Sequence, residues 1–212
     1  MAGEPDGWPA ILFSSSTKQH ESAKNRLVRV SGSILAFAVL LGLGIQDAES
    51  KPTARGLLVG SDAPQFTLKT INPQLSKQRT LSSRKWFGPK RNPTSKGLAL
   101  TFGASYCEPC KKELAVLAKK SAEIRKAGYF LTAIVIDRDK KGIEEMRKLA
   151  VEKLKIDFPV LSDSFGILAR RYKADTLPMM VVVDPDGKIT WIHSGYKESA
   201  LSQFLERMGA KL

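Results

Sequence analysis

The sequence predicts an α/β fold in which helices flank a mixed central sheet, with an added N-terminal β-hairpin. The apolar content of 42% and the charged content of 26% are typical of a globular protein. From residue 98 onwards, apolar runs of strand type alternate with segments whose apolar residues recur at helical spacing. Strand–helix–strand units imply parallel strands, whereas the short strand pairs near both ends of the domain add antiparallel ones.

The predicted hairpin comes first. Residues 63–68 and 79–81 have strand character, and Asn72-Pro73 supplies a turn signal between them. Residues 82–97 combine Gly, Pro and basic side chains, so we expect a loop there. A buried strand over residues 98–102 comes next and ends at Gly103.

The remaining elements alternate between helices and strands. The predicted helices are 108–126, 143–154, 165–172 and 199–208. The predicted extended segments are 129–136, 158–161, 179–183 and 188–193, the last two joined by the turn residues 184–187. This order is a thioredoxin-like arrangement.

The chain is strongly basic, with a net charge of +13. Residues 51–212 carry 30 basic and 16 acidic side chains. No acid lies between Asp62 and Glu108, where the basic residues are Lys69, Lys77, Arg79, Arg84, Lys85, Lys90, Arg91 and Lys96. Such a region can steer acidic partners, contact anionic lipid or remain a solvated loop. No nucleic-acid-binding motif accompanies the charge, so we expect no nucleic-acid partner.

The N-terminal part predicts passage across a membrane. Residues 1–26 are polar, and residues 27–45 have the character of a signal-peptide core or an uncleaved signal anchor. Residues 46–56 are a predicted linker before the domain at 57–212. Basic residues on the N-terminal side keep that end inside, so the domain should be extracytoplasmic, in the periplasm. It would be anchored in the inner membrane, or secreted after cleavage behind Ser50.

The cysteine pair carries the chemistry. Cys107 and Cys110 are the only cysteines, and they lie between a buried strand and a helix. A helix N-terminus favours the thiolate of Cys107, and Cys110 is spaced to close a disulfide with it. Pro109 is tolerated in the first helical turn, where its missing N–H has no partner. We therefore expect a redox-active disulfide and no separate cofactor. Two cysteines are too few for an ordinary zinc site, so no metal is expected.

Residues 101–113 closely resemble the active-site segment of TlpA/ResA-like thioredoxins. These are membrane-anchored reductases outside the cytoplasm, many of which serve cytochrome c maturation. The likeness extends over residues 57–212 and includes Thr176-Leu177-Pro178. It implies a thioredoxin-like fold and a thiol–disulfide oxidoreductase that reduces protein disulfides.

The resemblance also assigns roles. It makes Cys107 the nucleophile and Cys110 the resolving thiol. Pro178 should be a cis-proline that faces the pair, and Leu177 should offer its backbone groups to a bound partner chain. Thr176 belongs to the same substrate-binding segment.

Four further residues are informative. Glu113 should be a partly buried carboxylate that exchanges a proton with Cys110, although a surface glutamate paired with a lysine stays open. Thr101 replaces the buried aspartate of thioredoxins proper. Glu108 works against the Cys107 thiolate and favours a reductant. Tyr106 replaces the usual Trp before the first cysteine and is expected to contact substrate.

The implied partners are protein disulfides, possible examples being those of apocytochrome c or its maturation factors. A membrane thiol reductant would supply electrons, the N-terminal segment would contact the inner membrane, and the protein would be a monomer. Two alternatives stay open. A peroxiredoxin-like thiol peroxidase shares the fold, but it needs a Thr or Ser three residues before its cysteine. A copper metallochaperone would use Cys107 and Cys110 with a further ligand such as Met179 or His193.

Overall fold

The computed structural model describes residues 57–212. The predicted segments 1–26, 27–45 and 46–56 lie outside the described residues. The described strands are β1 Thr67–Thr70, β2 Thr80–Ser82, β3 Leu98–Gly103, β4 Phe130–Val135, β5 Val160–Ser162, β6 Met179–Val183 and β7 Ile189–Ser194. The helices are α1 Pro73–Ser76, α2 Glu108–Lys126, α3 Lys140–Lys148, α4 Ile167–Tyr172 and α5 Glu198–Arg207.

The seven strands form one mixed sheet in the order β2-β1-β5-β4-β3-β6-β7. β3, β4 and β5 are parallel, and the N-terminal hairpin and the β6–β7 pair are added antiparallel at the two sides. Every residue of β3, β4 and β6 is buried, as expected for strands covered on both faces. The predicted α/β class, with its mixed sheet and N-terminal hairpin, is confirmed.

Helix α2 has the predicted bounds, but α3 begins earlier than predicted. It starts at Lys140 instead of Ile143, because the side chain of Asp139 caps it by accepting a hydrogen bond from the Gly142 N–H at 2.8 Å. The helical path continues through a π-helical turn at Leu149–Lys153. No helix within residues 57–212 is long and apolar enough to span a bilayer.

The connection inside the hairpin is not the predicted turn. The short helix α1 lies there, and the buried Asn72 before it is bonded to a distant part of the chain. Its Nδ2 donates to the carbonyls of Ile156 and Phe158, and its Oδ1 accepts from the Val160 N–H, each at 2.9 Å. Asn72 therefore joins the hairpin to β5.

Residues 82–97 pack against the core more closely than the predicted loop would. A 3₁₀ turn spans Ser83–Lys85, the Trp86 ring stacks on Phe130 with ring centroids 3.7 Å apart, and Phe87 is only 2% exposed. Although the segment is basic in composition, two of its aromatic side chains, Trp86 and Phe87, are part of the fold.

Replacing Phe87 with alanine should destabilise the domain by roughly 3–5 kcal/mol, because it leaves a cavity in a packed site. Urea denaturation measures the change. The matched control is Phe165→Ala, since Phe165 is 78% exposed and should cost less than about 0.5 kcal/mol. Equal effects of the two substitutions would show that residues 82–97 are not part of the core.

Candidate active site

The two cysteines form a disulfide at the start of α2. Cys107 is the N-cap residue, and its Sγ accepts a hydrogen bond from the Cys110 N–H at 3.3 Å. Cys107 is 8% exposed and Cys110 2%. Cys107, the more exposed of the two residues, therefore stands at the helix N-terminus, where the positive end of the helix dipole favours a thiolate. Pro109 lies in the first turn, as predicted.

The loop before Cys107 is held by a buried aspartate that the sequence reasoning missed. Asp137 comes after β4 and is 3% exposed. One of its carboxylate oxygens accepts from the Ser105 N–H at 2.9 Å, and the other accepts from the Ser105 hydroxyl at 2.6 Å. A Cβ on Gly142 of α3 would lie 2.3 Å from this carboxylate, so only glycine fits there. The sequence did contain a signal for Asp137, because this acid directly follows a buried strand that is parallel to β3.

The Thr176-Leu177-Pro178 segment lies beside the disulfide. The Leu177–Pro178 peptide bond is cis, as predicted. Leu177 packs, together with Ile136, against the cluster formed by Ala104, Cys107 and Cys110. The structure thus brings this segment and the cysteine loop together.

Two of the predicted substrate-binding side chains face solvent. Tyr106 is 73% exposed, and Thr176 is also exposed. Both are accessible to a partner chain that reaches the disulfide.

Glu108 is exposed and forms part of a small ion-pair network. The Lys111 ammonium lies 2.8 Å from Glu108 and 2.9 Å from Glu145. A hydrogen bond from Lys111 lowers the pKa of Glu108, and the two carboxylates raise the pKa of Lys111. Two acids therefore share the Lys111 cation.

Glu113 is completely buried, more deeply than predicted, so the surface alternative is wrong. The Thr101 hydroxyl donates a hydrogen bond to Glu113 Oε1, whereas Oε2 has no hydrogen-bond partner in residues 57–212. Burial raises the pKa of Glu113 to about 7, and the hydrogen bond from Thr101 acts in the opposite direction. Thr101, which cannot itself titrate, thus supports the residue that does.

A cavity of about 10 Å³ lies beside this pair, with Thr101, Gly103 and Cys110 in its lining. This is about the space that one water needs. The cavity is therefore lined both by Cys110 and by Thr101, the residue that is bonded to Glu113.

The proposed additional copper ligands belong to the sheet. Met179 begins β6, and the His193 ring lies 6.0 Å from that of Trp191 on β7. Among residues 57–212, no group of three or more His, Cys, Asp or Glu side chains is arranged to hold a metal ion.

Comparisons with known proteins agree with this geometry. Residues 59–192 match the model of the AhpC/TSA family. The thiol-disulfide oxidoreductase ResA of Bacillus subtilis is 28% identical over 172 residues, covering 81% of this chain and 87% of ResA. A thiol-disulfide oxidoreductase from Bacteroides fragilis superposes with a TM-score of 0.52 at 26% identity, covering 70% of this chain and 99% of that one.

A second similar structure is a secreted disulfide oxidoreductase from Mycobacterium tuberculosis, homologous to DsbE of E. coli. It has a TM-score of 0.52 at 20% identity, covering 68% of this chain and 96% of its own. The fold and the cysteine pair define a thioredoxin-like thiol–disulfide oxidoreductase. The chain belongs to the AhpC/TSA family, and the ResA relatives confirm its TlpA/ResA-like character.

The pKa of Glu113 makes a prediction about stability. A carboxyl whose pKa rises from 4.5 in the unfolded chain to about 7 in the folded one binds its proton more tightly when folded. Its contribution to stability is complete below pH 4.5 and is lost as the pH rises through 7. Between pH 5 and pH 8 the oxidised protein should lose roughly 2–3 kcal/mol from this group.

Glu113→Gln should remove this loss, because the amide stays neutral and still accepts from Thr101. Urea denaturation of both proteins at pH 5 and pH 8 measures it. The control is Glu108→Gln, a change at an exposed carboxylate, which should keep the wild-type pH dependence. If wild type and Glu113→Gln lose the same stability, Glu113 titrates like an ordinary surface carboxyl.

Proposed function

We propose that this oxidoreductase reduces protein disulfides outside the cytoplasm, with Cys107 as nucleophile and Cys110 as resolving thiol. The disulfide at the start of α2 carries the proposal, because its more exposed sulfur lies at a helix N-terminus beside the cis-Pro178 segment. The resemblance favours apocytochrome c or its maturation factors as substrates.

In the first step the Cys107 thiolate attacks one sulfur of the substrate disulfide. That S–S bond breaks, the second substrate sulfur leaves as a thiolate that takes a proton from solvent, and a mixed disulfide forms. The helix N-terminus stabilises the attacking thiolate. Leu177, Thr176 and Tyr106 line the approach of the partner chain.

In the second step Cys110 attacks the Cys107 sulfur and releases the reduced substrate. The Cys110 thiol must lose its proton first, and Glu113 is the acceptor, directly or across the small cavity. A carboxylate with a pKa near 7 suits this transfer, because acid and base are then closely matched. Two electrons pass to the substrate, and the enzyme is left with the Cys107–Cys110 disulfide.

A dithiol donor must then reduce this disulfide, and we assign that role to a membrane thiol reductant. The charges near Cys107 support a reducing direction. Lys111 is shared by Glu108 and Glu145, so its positive charge near the attacking thiolate is offset by these two carboxylates. A less stabilised reduced form makes the dithiol a better reductant.

The location outside the cytoplasm is supported by the N-terminal sequence. Basic residues precede the uncharged apolar run 34–45, which predicts translocation of the chain downstream of it. The similar protein from Mycobacterium tuberculosis is a secreted one. Residues 27–45 would anchor the domain in the inner membrane unless the chain is cleaved after Ser50.

A trapping experiment tests the mechanism. Cys110→Ser should retain the first step and lose the second, so mixed disulfides with partner proteins accumulate on non-reducing gels. Cys107→Ser should form none, since a serine hydroxyl stays protonated at neutral pH. Pro178→Thr should change the amount or lifetime of the adducts without removing the nucleophile.

A peroxide-consumption assay on the same variants distinguishes the proposed reductase from a thiol peroxidase. A peroxidase would form sulfenic acid on Cys107 and consume peroxide even without Cys110. Fast peroxide turnover without dithiothreitol-sensitive protein adducts would replace our proposal by a peroxidase.

An alkaline phosphatase fusion after residue 56 tests the location. Alkaline phosphatase folds only outside the cytoplasm, so the fusion at residue 56 should be active in cells. A fusion to residue 26, which lacks the apolar run, is the control and should be inactive. A fusion at residue 56 that accumulates without activity would contradict the proposed topology.

A further inference from the structure

A groove of about 420 Å³ lies next to the cysteine loop. Its lining includes Tyr106, next to Cys107, and Ile136, which packs against the cysteine cluster. Ala174 and Asp175, which precede the Thr176-Leu177-Pro178 segment, also line it. A partner chain held by this segment would therefore extend into the groove.

Two arginines lie together in this groove. Nη2 of Arg138 and Nη1 of Arg170 are each 3.3 Å from the point where a Cβ on Gly166 would stand. The two guanidinium groups are thus separated by less than twice that distance. Arg170 is held in place because its Nη1 donates to the carbonyl of Phe165 at 3.1 Å. Both side chains are exposed, and Gly166 leaves room for them.

Neither guanidinium forms an ion pair within 4.0 Å in the part of the chain that the structure describes. Like charges held this close repel each other unless an anion lies between them. A carboxylate suits this place, since guanidinium groups bind it through directed, charge-assisted hydrogen bonds.

The groove also contains three carboxylates. Both oxygens of Asp137 accept hydrogen bonds from Ser105, and Asp139 caps α3 through the Gly142 N–H. Asp175 also lines the groove and is exposed. Two of the three therefore hold backbone in place, and within residues 57–212 none lies within 4.0 Å of the Arg138 or Arg170 guanidinium. The groove therefore carries its positive charge on the two arginines beside Gly166, apart from the negative charge on the three aspartates.

We infer that Arg138 and Arg170 form a specificity subsite that binds an acidic side chain near the reactive disulfide of the protein substrate. The inference rests on the proposed function, since the groove matters only if a partner disulfide reaches Cys107. It narrows the substrate class to protein disulfides with an Asp or Glu placed to reach Gly166.

Single-turnover reduction of matched peptides tests the subsite. The full-length chain is reduced and desalted, then mixed with disulfide peptides that differ only in carrying Glu, Gln or Lys beside the cysteines. The Glu peptide should react roughly two- to fivefold faster than the Lys peptide at low salt, the range expected for exposed charge pairs. Added salt should reduce the difference.

The variant Arg138→Gln/Arg170→Gln should lose this preference, so that the Glu, Gln and Lys peptides react at similar rates. The matched control is Lys119→Gln/Lys126→Gln, which removes the same charge from exposed positions of α2 outside the groove and should keep the preference. Charge reversal in Arg138→Glu/Arg170→Glu should make the Lys peptide the faster one.

The outcomes separate the subsite from the general reaction. Equal rates for all three peptides would overturn the subsite and leave the reductase intact, whereas no reduction of any peptide would overturn the proposed function. A preference that survives Arg138→Gln/Arg170→Gln, or that the α2 control also loses, would assign it to the net positive charge and not to this groove.

Discussion

The parallel pairing of β3 with β4 is the constraint on which the site depends. Gly103 and Val135 are level with each other at the carboxyl ends of the two strands. The loop after β3 therefore lies beside the residues after β4, where Asp137 accepts both hydrogen bonds from Ser105. Because loops at this edge of a parallel sheet converge, a short cysteine loop and a distant aspartate can be fixed against each other. The position of Cys107 at the start of α2 results from that anchorage.

Unlike Asp137, the buried Glu113 is not a residue that selection for stability alone would favour. A carboxyl in this position loses hydration, and the single hydrogen bond from Thr101 compensates only one of its oxygens. The fold tolerates it because the group can stay protonated at mildly acidic pH, which burial favours by raising the pKa to about 7. The same burial that weakens the fold at alkaline pH gives Glu113 a pKa suited to exchanging protons with a thiol.

Short motifs in the sequence predicted those parts of the site that depend on interactions between neighbouring residues. Helix α2 begins and ends where expected, since the cap at Cys107, the early Pro109 and the stop at Gly128 all lie within or beside it. The cysteine pair and the cis-Pro178 bond were likewise recognised from short motifs.

Contacts between distant residues were not predictable in this way. Asn72 bonds to residues 84 to 88 positions away, and Lys111 pairs with Glu145, 34 positions away. Contacts between residues so far apart in the chain leave no periodic pattern in the sequence. The depth of Glu113 also depends on packing between α2 and the sheet, so the sequence alone left a surface position open. Composition misled at Phe87, because the basic residues around it are typical of a solvated loop.

Chemistry and recognition are thus assigned to different parts of the domain. The groups that we propose to react, Cys107, Cys110 and Glu113, lie at the N-cap and on the first two turns of α2, where helix geometry fixes their spacing. The two arginines of the groove beside them come from the segment after β4 and from α4, which carry no reacting group. Arg138 and Arg170 can therefore change without moving the sulfur atoms. A fold organised in this way can keep one exchange reaction while the residues around Gly166 select which disulfides reach it.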